Sequence, residues 1–448
     1  MTLARFTTPK PGQLLRRILD RPDLVTSVRE LAPRALAKLI DHVGLEDAGE
    51  IVALATTEQL ERVWDEDLWR SARPGDDEAF DHERFATWLE ILLEAGDEFV
   101  ADKLAELSED FVTMAIHHHV LVIDIDELAV EMSERGQDDV DFDLVEKALE
   151  SSLYQEFEGY RVIARRHEGW DALVTALTAL DKNHHALLDR ILMRASAMSS
   201  KYVEDNGGLY DVLSSDEMLE ADVAGEREDR RSREGFVAPS AARSFLELAR
   251  MVDARTEASA SPADPVTRAY FRDLERTRVR VPPPPRHDQG ESLAALVARL
   301  EPEADDAPPK HRLRGRTKGA PTRPTEEALL RRVVQALGAE NAAAHERALE
   351  ELAYLVNVLV AGVPFNGRAF RPSEAALAVV AIGTIGLVAL SQARKPGKRQ
   401  MEDCVAIALR EGVVRAFRVG WFLLHEDRSL AEPWPELAGL SFRPLTRR

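Results

Sequence analysis

One short segment of the chain concentrates the side chains best suited to metal chemistry. It runs Ile116-His-His-His-Val-Leu-Val-Ile-Asp-Ile-Asp126, and its candidate ligands are His117, His119, Asp124 and Asp126. Imidazole and carboxylate groups are ligands that zinc, manganese and iron take in proteins. The segment therefore leaves a divalent metal open as a cofactor, and no other cofactor is indicated.

The spacing of these residues does not favour a metal site on a single regular element. Adjacent histidines on a helix point about 100° apart, whereas helical ligands are spaced three or four residues apart. On a strand, His117 and His119 share one face, and Asp124 and Asp126 lie on the other. The alternative interpretation is a helix end, where imidazoles meet the negative end of the helix dipole, followed by a connector.

A second group of histidine and carboxylate side chains follows helical spacing. Asp181, His185 and Asp189 are four residues apart in succession, so they line one stripe of a predicted helix. Such a stripe could bind a metal, but it is also typical of a solvated helix face with weak charge pairing. We favour the solvated face.

Three polar residues of the C-terminal region are candidates for ligand binding. Asn357 interrupts an otherwise apolar helix, and Asn366 and Arg368 lie in the glycine-containing loop that follows. A buried amide needs a hydrogen-bond partner, so Asn357 is expected first to join two parts of a bundle. Ligand contact is the second interpretation.

The sequence lacks the motifs of the common enzyme classes. There is no phosphate-binding glycine loop, no nucleophile elbow and no HExxH motif. The single cysteine, Cys404, has acidic neighbours that raise a thiol pKa. We therefore expect a non-enzymatic protein-interaction or regulatory module with a protein partner. The alternative is a metal-dependent enzyme or metal-responsive sensor that uses residues 117–119 with Asp124 or Asp126.

Composition narrows the classes of partner and compartment. The 448 residues are 45% hydrophobic and 31% charged, as in globular proteins, and the net charge of −21 argues against a general nucleic-acid binder. The basic run at residues 310–318 lacks interleaved aromatics for base stacking. One cysteine excludes an internal disulfide framework, and the N-terminal residues contain no signal-peptide-like apolar stretch. We expect a cytoplasmic protein, and the oligomeric state stays open.

Residues 375–390 form the longest uncharged apolar run, but a membrane-spanning helix needs about twenty residues. Gly383, Thr384 and Gly386 reduce the hydrophobicity of this run further. We therefore predict a buried central helix of a bundle and no membrane span.

The elements that position these residues are predicted to be helices throughout. Alanine, leucine, glutamate and arginine dominate, and these residues favour helix. A shift of about 24 residues superimposes Leu36, Leu39 and Ile40 on Leu60, Val63 and Trp64. Such self-similarity is typical of stacked helical hairpins. We expect an all-α fold with a superhelical N-terminal stack.

Three regions are predicted along the chain. Residues 1–212 form the N-terminal helical stack, 213–325 a charged and proline-rich linker with short helices, and 326–448 a C-terminal helical bundle. Beyond residue 80, the helices are expected at 81–94, 98–107, 109–118, 142–152, 170–180, 183–200, 240–252, 327–338, 342–361, 372–391 and 401–425.

Three stretches also carry a family resemblance. Residues 47–60 (DAGEIVALATTEQL), with Trp64 and Trp69, resemble the short paired helices of the cytosolic N domain of the magnesium transporter MgtE. Together with residues 351–372, containing ELAYLVNVLVAG and GRAFRP, and residues 414–425 (VRAFRVGWFLLH), they resemble an uncharacterised bacterial family, a domain of unknown function. The resemblance implies a helical fold and no activity. The membrane domain of the transporter has no counterpart in this sequence.

Overall fold

The computed structural model of the chain describes residues 11–73, 75–126, 153–199, 215–251, 271, 293, 329–394 and 401–440. Helices dominate these residues, which confirms the all-α prediction. Up to residue 126 the helices are α1 (Pro11–Leu19), α2 (Leu24–Arg29), α3 (Pro33–Val43), α4 (Gly49–Val52), α5 (Thr57–Asp67), α6 (His82–Leu93), α7 (Asp97–Glu106) and α8 (Glu109–His117). The later helices are α9 (Trp170–Ser199), α10 (Ser215–Arg233), α11 (Pro239–Met251), α12 (Leu329–Glu340), α13 (Ala342–Gly362), α14 (Pro372–Arg394) and α15 (Met401–Glu426).

Short strands interrupt the helices, and sequence periodicity did not predict them. They are β1 (Trp69–Ser71), β2 (Glu78–Phe80), β3 (Val120–Asp124), β4 (Tyr154–Phe157), β5 (Tyr160–Ala164), β6 (Pro364–Phe365) and β7 (Arg368–Ala369). The largest sheet has the antiparallel order β3–β5–β4, with Val122 opposite Val162. The segment expected to be a connector after the histidine triplet is therefore an edge strand of this sheet.

The chain divides into two compact units. Unit 1 comprises Met1–Arg70, Phe80–Arg227 and Pro283–His311, and unit 2 comprises Ser71–Ala79, Glu228–Pro282 and Arg312–Arg448. The domain boundaries drawn from the sequence at 212 and 325 stay a prediction. Within the predicted linker, the described residues form α10 and α11. The helix expected at 142–152 and the basic run at 310–318 lie outside the described residues.

Unit 1 is built by the apolar sides of α1 to α9, which share one core with β3 and β5. A buried glutamine joins two successive helix pairs. Gln59 and the N-cap residue Thr56 exchange hydrogen bonds at the start of α5, as in a capping box. The Gln59 Nε2 atom also donates to the carbonyl oxygens of Val28 and Leu31, each at 2.8 Å, and so satisfies acceptors near the end of α2. The second helix pair is thereby fixed on the first.

Unit 2 has its own core, centred on α14 and α15. Glycines allow these two helices to cross at backbone contact. A Cβ atom added at Gly386 would lie 1.7 Å from the Ala416 carbonyl oxygen, and one added at Gly420 would lie 1.9 Å from the Ile382 carbonyl oxygen. No side chain fits between the helices at this crossing.

A buried carboxylate supports a break inside α15. Gly412 has φ of 79°, which interrupts the helix, so the second half of α15 begins with free backbone N–H groups. The Glu351 side chain of α13 accepts hydrogen bonds from the N–H groups of Val413 and Val414. Burial nevertheless raises the pKa of Glu351, because a desolvated carboxylate favours its neutral form.

Candidate functional site

Two helix ends in unit 1 bring the histidines together. The Asp81 side chain accepts a hydrogen bond from the Arg84 N–H at 3.0 Å and caps α6, so that His82 is the first residue of this helix. Helix α8 ends at His117, His118 is its C-cap residue, and His119 directly precedes β3. The His119 carbonyl oxygen accepts a hydrogen bond from the Arg165 N–H at 2.9 Å. This bond holds the turn between α8 and β3 against the segment that follows β5.

Helix α6 is held in place by one carboxylate at the end of α5. Asp67 accepts two hydrogen bonds from Arg84, at 2.7 and 3.2 Å, and one from the Trp88 indole N–H at 2.6 Å. A bidentate, charge-assisted pair fixes orientation as well as distance. The start of α6, and with it His82, is therefore anchored to the core.

The three imidazoles of His82, His118 and His119 form the candidate site, which we call the histidine cluster. The rings of His82 and His118 are stacked, with centroids 5.9 Å apart and planes 12° apart. The rings of His82 and His119 meet edge to face at 5.7 Å. Aromatic rings enclose the cluster, because Phe80 stacks on His118 at 5.7 Å and Phe85 lies 6.2 Å from His119.

Burial in this apolar surrounding favours the neutral forms of His118 and His119. His119 is only 5% exposed, and within the described part of the chain the Nε2 atoms of His82 and His119 are buried without a hydrogen-bond partner. Burial lowers the pKa of His119 from 6.5 to about 4, and the neighbouring His82 lowers it further, against a hydrogen bond with the His82 backbone. Burial also lowers the pKa values of His117 and His118.

Charged groups from two other parts of unit 1 face the cluster. The Nε2 atom of His118 lies 2.9 Å from a carboxylate oxygen of Glu220 in α10, which opposes the lowering of the His118 pKa. Arg165 and Arg166 lie just after β5. The positive charge of Arg165 lowers the pKa of His118, and that of Arg166 lowers the pKa of His119. Burial and the two arginines therefore favour the neutral forms of His118 and His119, and Glu220 opposes them at His118.

The predicted metal ligands are not gathered at one point. Strand β3 separates His119 from Asp124 by five residues, which is about 16 Å at the usual rise of a strand. The Asp124 carboxylate accepts from the Asp126 N–H at 3.0 Å in the turn that follows. His117 lies at the end of α8, where Asp216 of α10 is its acidic neighbour. Among the residues that the structure describes, no group of three His, Cys, Asp or Glu side chains could hold a metal ion.

The structure adds His82 and Glu220, which the sequence interpretation missed. They lie about 36 and 102 positions from His118, and no periodic pattern links residues that far apart. The only usable signal was the predicted start of a helix near residue 81, where Asp81-His82 fits an N-cap followed by the first helical residue.

In the helical stripe of Asp181, His185 and Asp189, the His185 side chain forms two surface ion pairs. His185 Nδ1 lies 2.8 Å from Asp181, and its Nε2 atom lies 3.1 Å from Glu158. The hydrogen bond with Asp181 raises the pKa of His185. The neighbouring His184 contacts Asp102 of α7 at 2.8 Å and has a non-helical backbone, so α9 is kinked there. The gap between the two helices predicted at residues 170–180 and 183–200 corresponds to this kink.

The three candidate ligand-binding residues of unit 2 have structural partners. The Asn357 amide donates to the Gly235 carbonyl oxygen at 2.6 Å, as expected of an amide that joins two segments. Asn366, with φ of 51°, lies in the turn between β6 and β7, and its N–H donates to the Gly439 carbonyl oxygen. Arg368 pairs with Glu374 at 2.6 Å. Ligand binding by these three residues stays a prediction.

Within the described residues, one helix is long and apolar enough to cross a membrane, and it corresponds to α14. Of its most apolar window, 61% is buried inside the protein. Such burial is typical of the core helix of a bundle, so there is no clear membrane span among the described residues.

Comparison with known proteins identifies one matching family. Residues 3–206 match the model of a family of unknown function (DUF6178), which supports an uncharacterised domain in this part of the chain. Apart from Ser71–Ala79, the match lies within unit 1, and it contains all members of the histidine cluster. Comparisons with curated proteins and with solved structures find no match. The resemblance to the MgtE N domain is not confirmed, and residues 351–372 and 414–425 lie outside the matched range.

Proposed function

We propose that this chain is a non-enzymatic protein-interaction or regulatory module, and that its partner binds the N-terminal helical unit. The observation that carries the proposal is that the helices α1 to α8 each have an apolar side and an outer side. Their apolar sides all enter one core, and their outer sides form a broad surface of short helices. Stacked short helices of this kind typically offer extended binding surfaces.

The charge of the outer surface suggests the chemistry of the partner. Around α4 and α5, the exposed carboxylates are Glu46, Asp47, Glu50, Glu58 and Glu66. Complementary charge accelerates encounter and disfavours wrong partners, so a partner with a basic surface fits this face best. A net charge of −21 on the whole chain acts in the same direction.

A capture experiment with the full chain tests the proposal. The tagged protein is incubated with lysate of its source cell, crosslinked and analysed by mass spectrometry. We expect one partner with basic crosslinked peptides, and we expect the triple variant E46K/D47K/E50K to lose it. Crosslinks confined to unit 2, or an unchanged yield with the triple variant, would contradict the proposal.

A matched variant controls for the general effect of charge reversal. Glu247, Glu426 and Glu432 are exposed carboxylates of unit 2. The variant E247K/E426K/E432K changes the net charge by the same amount as the test variant. It should retain the partner, and circular dichroism should show unchanged helix content in both triple variants.

A further inference from the structure

We propose that the outer edge of strand β4 pairs with the same strand of a second copy of this chain, so that one continuous sheet joins a two-fold symmetric dimer. This proposal is independent of the basic partner proposed above. It begins from the hydrogen-bond register of the sheet. The loop Glu158-Gly159 joins β4 to β5, and the Leu153 carbonyl oxygen accepts a hydrogen bond from the Ala164 N–H at 2.8 Å.

This register directs the backbone groups of Tyr154 and Glu156 away from β5. In an antiparallel pair, only alternate residues exchange hydrogen bonds with the opposite strand, and in β4 these are Leu153, Gln155 and Phe157. Within the described part of the chain, the N–H groups of Tyr154 and Glu156 have no acceptor. The Glu156 carbonyl oxygen accepts only from the Gln155 side chain, at 3.3 Å. Such an unpaired edge is a template for a further strand.

The two edges of the sheet differ in exposure. At the β3 edge, Val120 and Val122 are buried, and the Val120 carbonyl oxygen accepts a hydrogen bond from Arg165 Nε at 2.8 Å. At the β4 edge, Leu153 is 41% exposed and Tyr154 is 48% exposed. The segment LYQEF at this edge contains no proline or lysine, which commonly protect exposed strand edges. The β4 edge is therefore the accessible one.

A second copy fits this edge because the β4 segment is complementary to itself. With Gln155 on the two-fold axis, Tyr154 lies opposite Glu156 of the partner subunit, and each such pair exchanges both backbone hydrogen bonds. Leu153 then lies opposite Phe157 of the partner subunit. Residues 153 and 157 share one face of the strand, and Phe157 belongs to the unit 1 core. Pairing therefore covers an exposed leucine with an apolar ring.

The polar side chains of β4 also tolerate this pairing. Glu156 forms an ion pair with Arg161 at 2.8 Å, and the Arg161 guanidinium lies 5.0 Å from the centroid of the Tyr154 ring. The two Glu156 carboxylates of the dimer lie diagonally, each beside its own arginine, so no like charges stand directly opposite each other. The two Gln155 side chains do lie opposite each other, and each amide both donates and accepts a hydrogen bond.

Disulfide crosslinking of the full chain tests the register. In the proposed pair, the two Gln155 Cα atoms are about 4.5 Å apart, a separation that a disulfide spans. The two Glu156 Cα atoms are about 8 Å apart, which is too far for a disulfide. With glutathione disulfide as oxidant, we expect Q155C to form a covalent dimer and the matched variant E156C to remain monomeric. Background from the native Cys404 should be small, because its side chain is only 1% exposed.

Sedimentation velocity over a range of protein concentrations tests association without crosslinking. E156P removes the outward N–H group but no hydrogen bond to β5, so the hairpin of β4 and β5 is retained. E156A removes the same carboxylate and keeps the N–H group. We expect wild type and E156A to form dimers as concentration rises and E156P to remain monomeric, with equal helix content by circular dichroism.

Three results would overturn the proposal. The first needs no variant: wild-type protein that remains monomeric over the whole concentration range. The second is a dimer that persists in E156P as in the wild type, or that is lost equally in E156A and E156P. The third is crosslinking of Q155C that is no faster than crosslinking of E156C, which would place any dimer contact elsewhere.

Discussion

The tight crossing of α14 and α15 leads to a sharp prediction about Gly386. The substitution G386A would place a methyl group 1.7 Å from the Ala416 carbonyl oxygen and 2.6 Å from the Gly420 backbone nitrogen. Ordinary contacts of a Cβ atom begin near 3.4 Å. Because both neighbours are backbone atoms, rotation of a side chain cannot relieve this steric clash. The helices α14 and α15 must separate by about 1.5 Å at the crossing.

The free energy cost follows from the packing around this crossing. Ile382, Leu387 and Phe417 are fully buried beside it. A gap of about 0.5–1 Å already forfeits a quarter to a half of the dispersion energy of each contact. Overpacking alone costs about 1–3 kcal/mol where side chains can adjust. With backbone on both sides, we expect G386A to lower the free energy of unfolding of unit 2 by at least about 3 kcal/mol.

Urea unfolding followed by pulsed hydrogen exchange and mass spectrometry reports α14 and α15 separately from unit 1. G383A is the nearest comparison, because its added methyl meets the flexible end of Leu330 at 2.7 Å, and its cost should be smaller. G225A in α10 meets nothing within 4 Å and should stabilise by about 0.5–1 kcal/mol, since alanine favours helix over glycine. If G386A unfolds within about 1 kcal/mol of the wild type, the close crossing is refuted.

Three further predictions concern polar side chains, each measured by urea unfolding monitored by circular dichroism. Q59A removes the donor for two buried carbonyl oxygens and should cost about 2–3 kcal/mol; a loss below about 0.5 kcal/mol would mean that water replaces the amide. D67N weakens the bidentate pair with Arg84, which is partly exposed, and should cost about 1–2 kcal/mol, a loss that 1 M salt should reduce. The raised pKa of Glu351 means that the folded state binds the proton more tightly than the unfolded state. The free energy of unfolding that this carboxyl contributes is therefore lost as pH rises from 4.5 through its native pKa. E351Q should remove that loss, and an unchanged pH dependence in E351Q would count against the assignment.

The bounds of most helices could be predicted from the sequence, because they depend on interactions within a few residues. Proline at the start of α3 and α14 and glycine after α3 mark ends that local conformation decides. The kink in α9 was visible as a break in the pattern near residue 181. The strands were missed, since β3 and β5 are short and their stability comes from pairing across about forty residues.

At the candidate site, too, nearby residues determine some features and distant residues determine the others. The sequence by itself determined that helix α8 ends in histidines, that α6 begins near Asp81, and that apolar spacing provides the cores. Only the tertiary structure decided that His82, rather than Asp124 or Asp126, is the neighbour of His119. The physical reason is that amphipathic periodicity specifies which face of a helix is buried, but not which other helix covers that face. The burial that favours neutral imidazoles, like the backbone approach at Gly386, exists only once distant elements have packed.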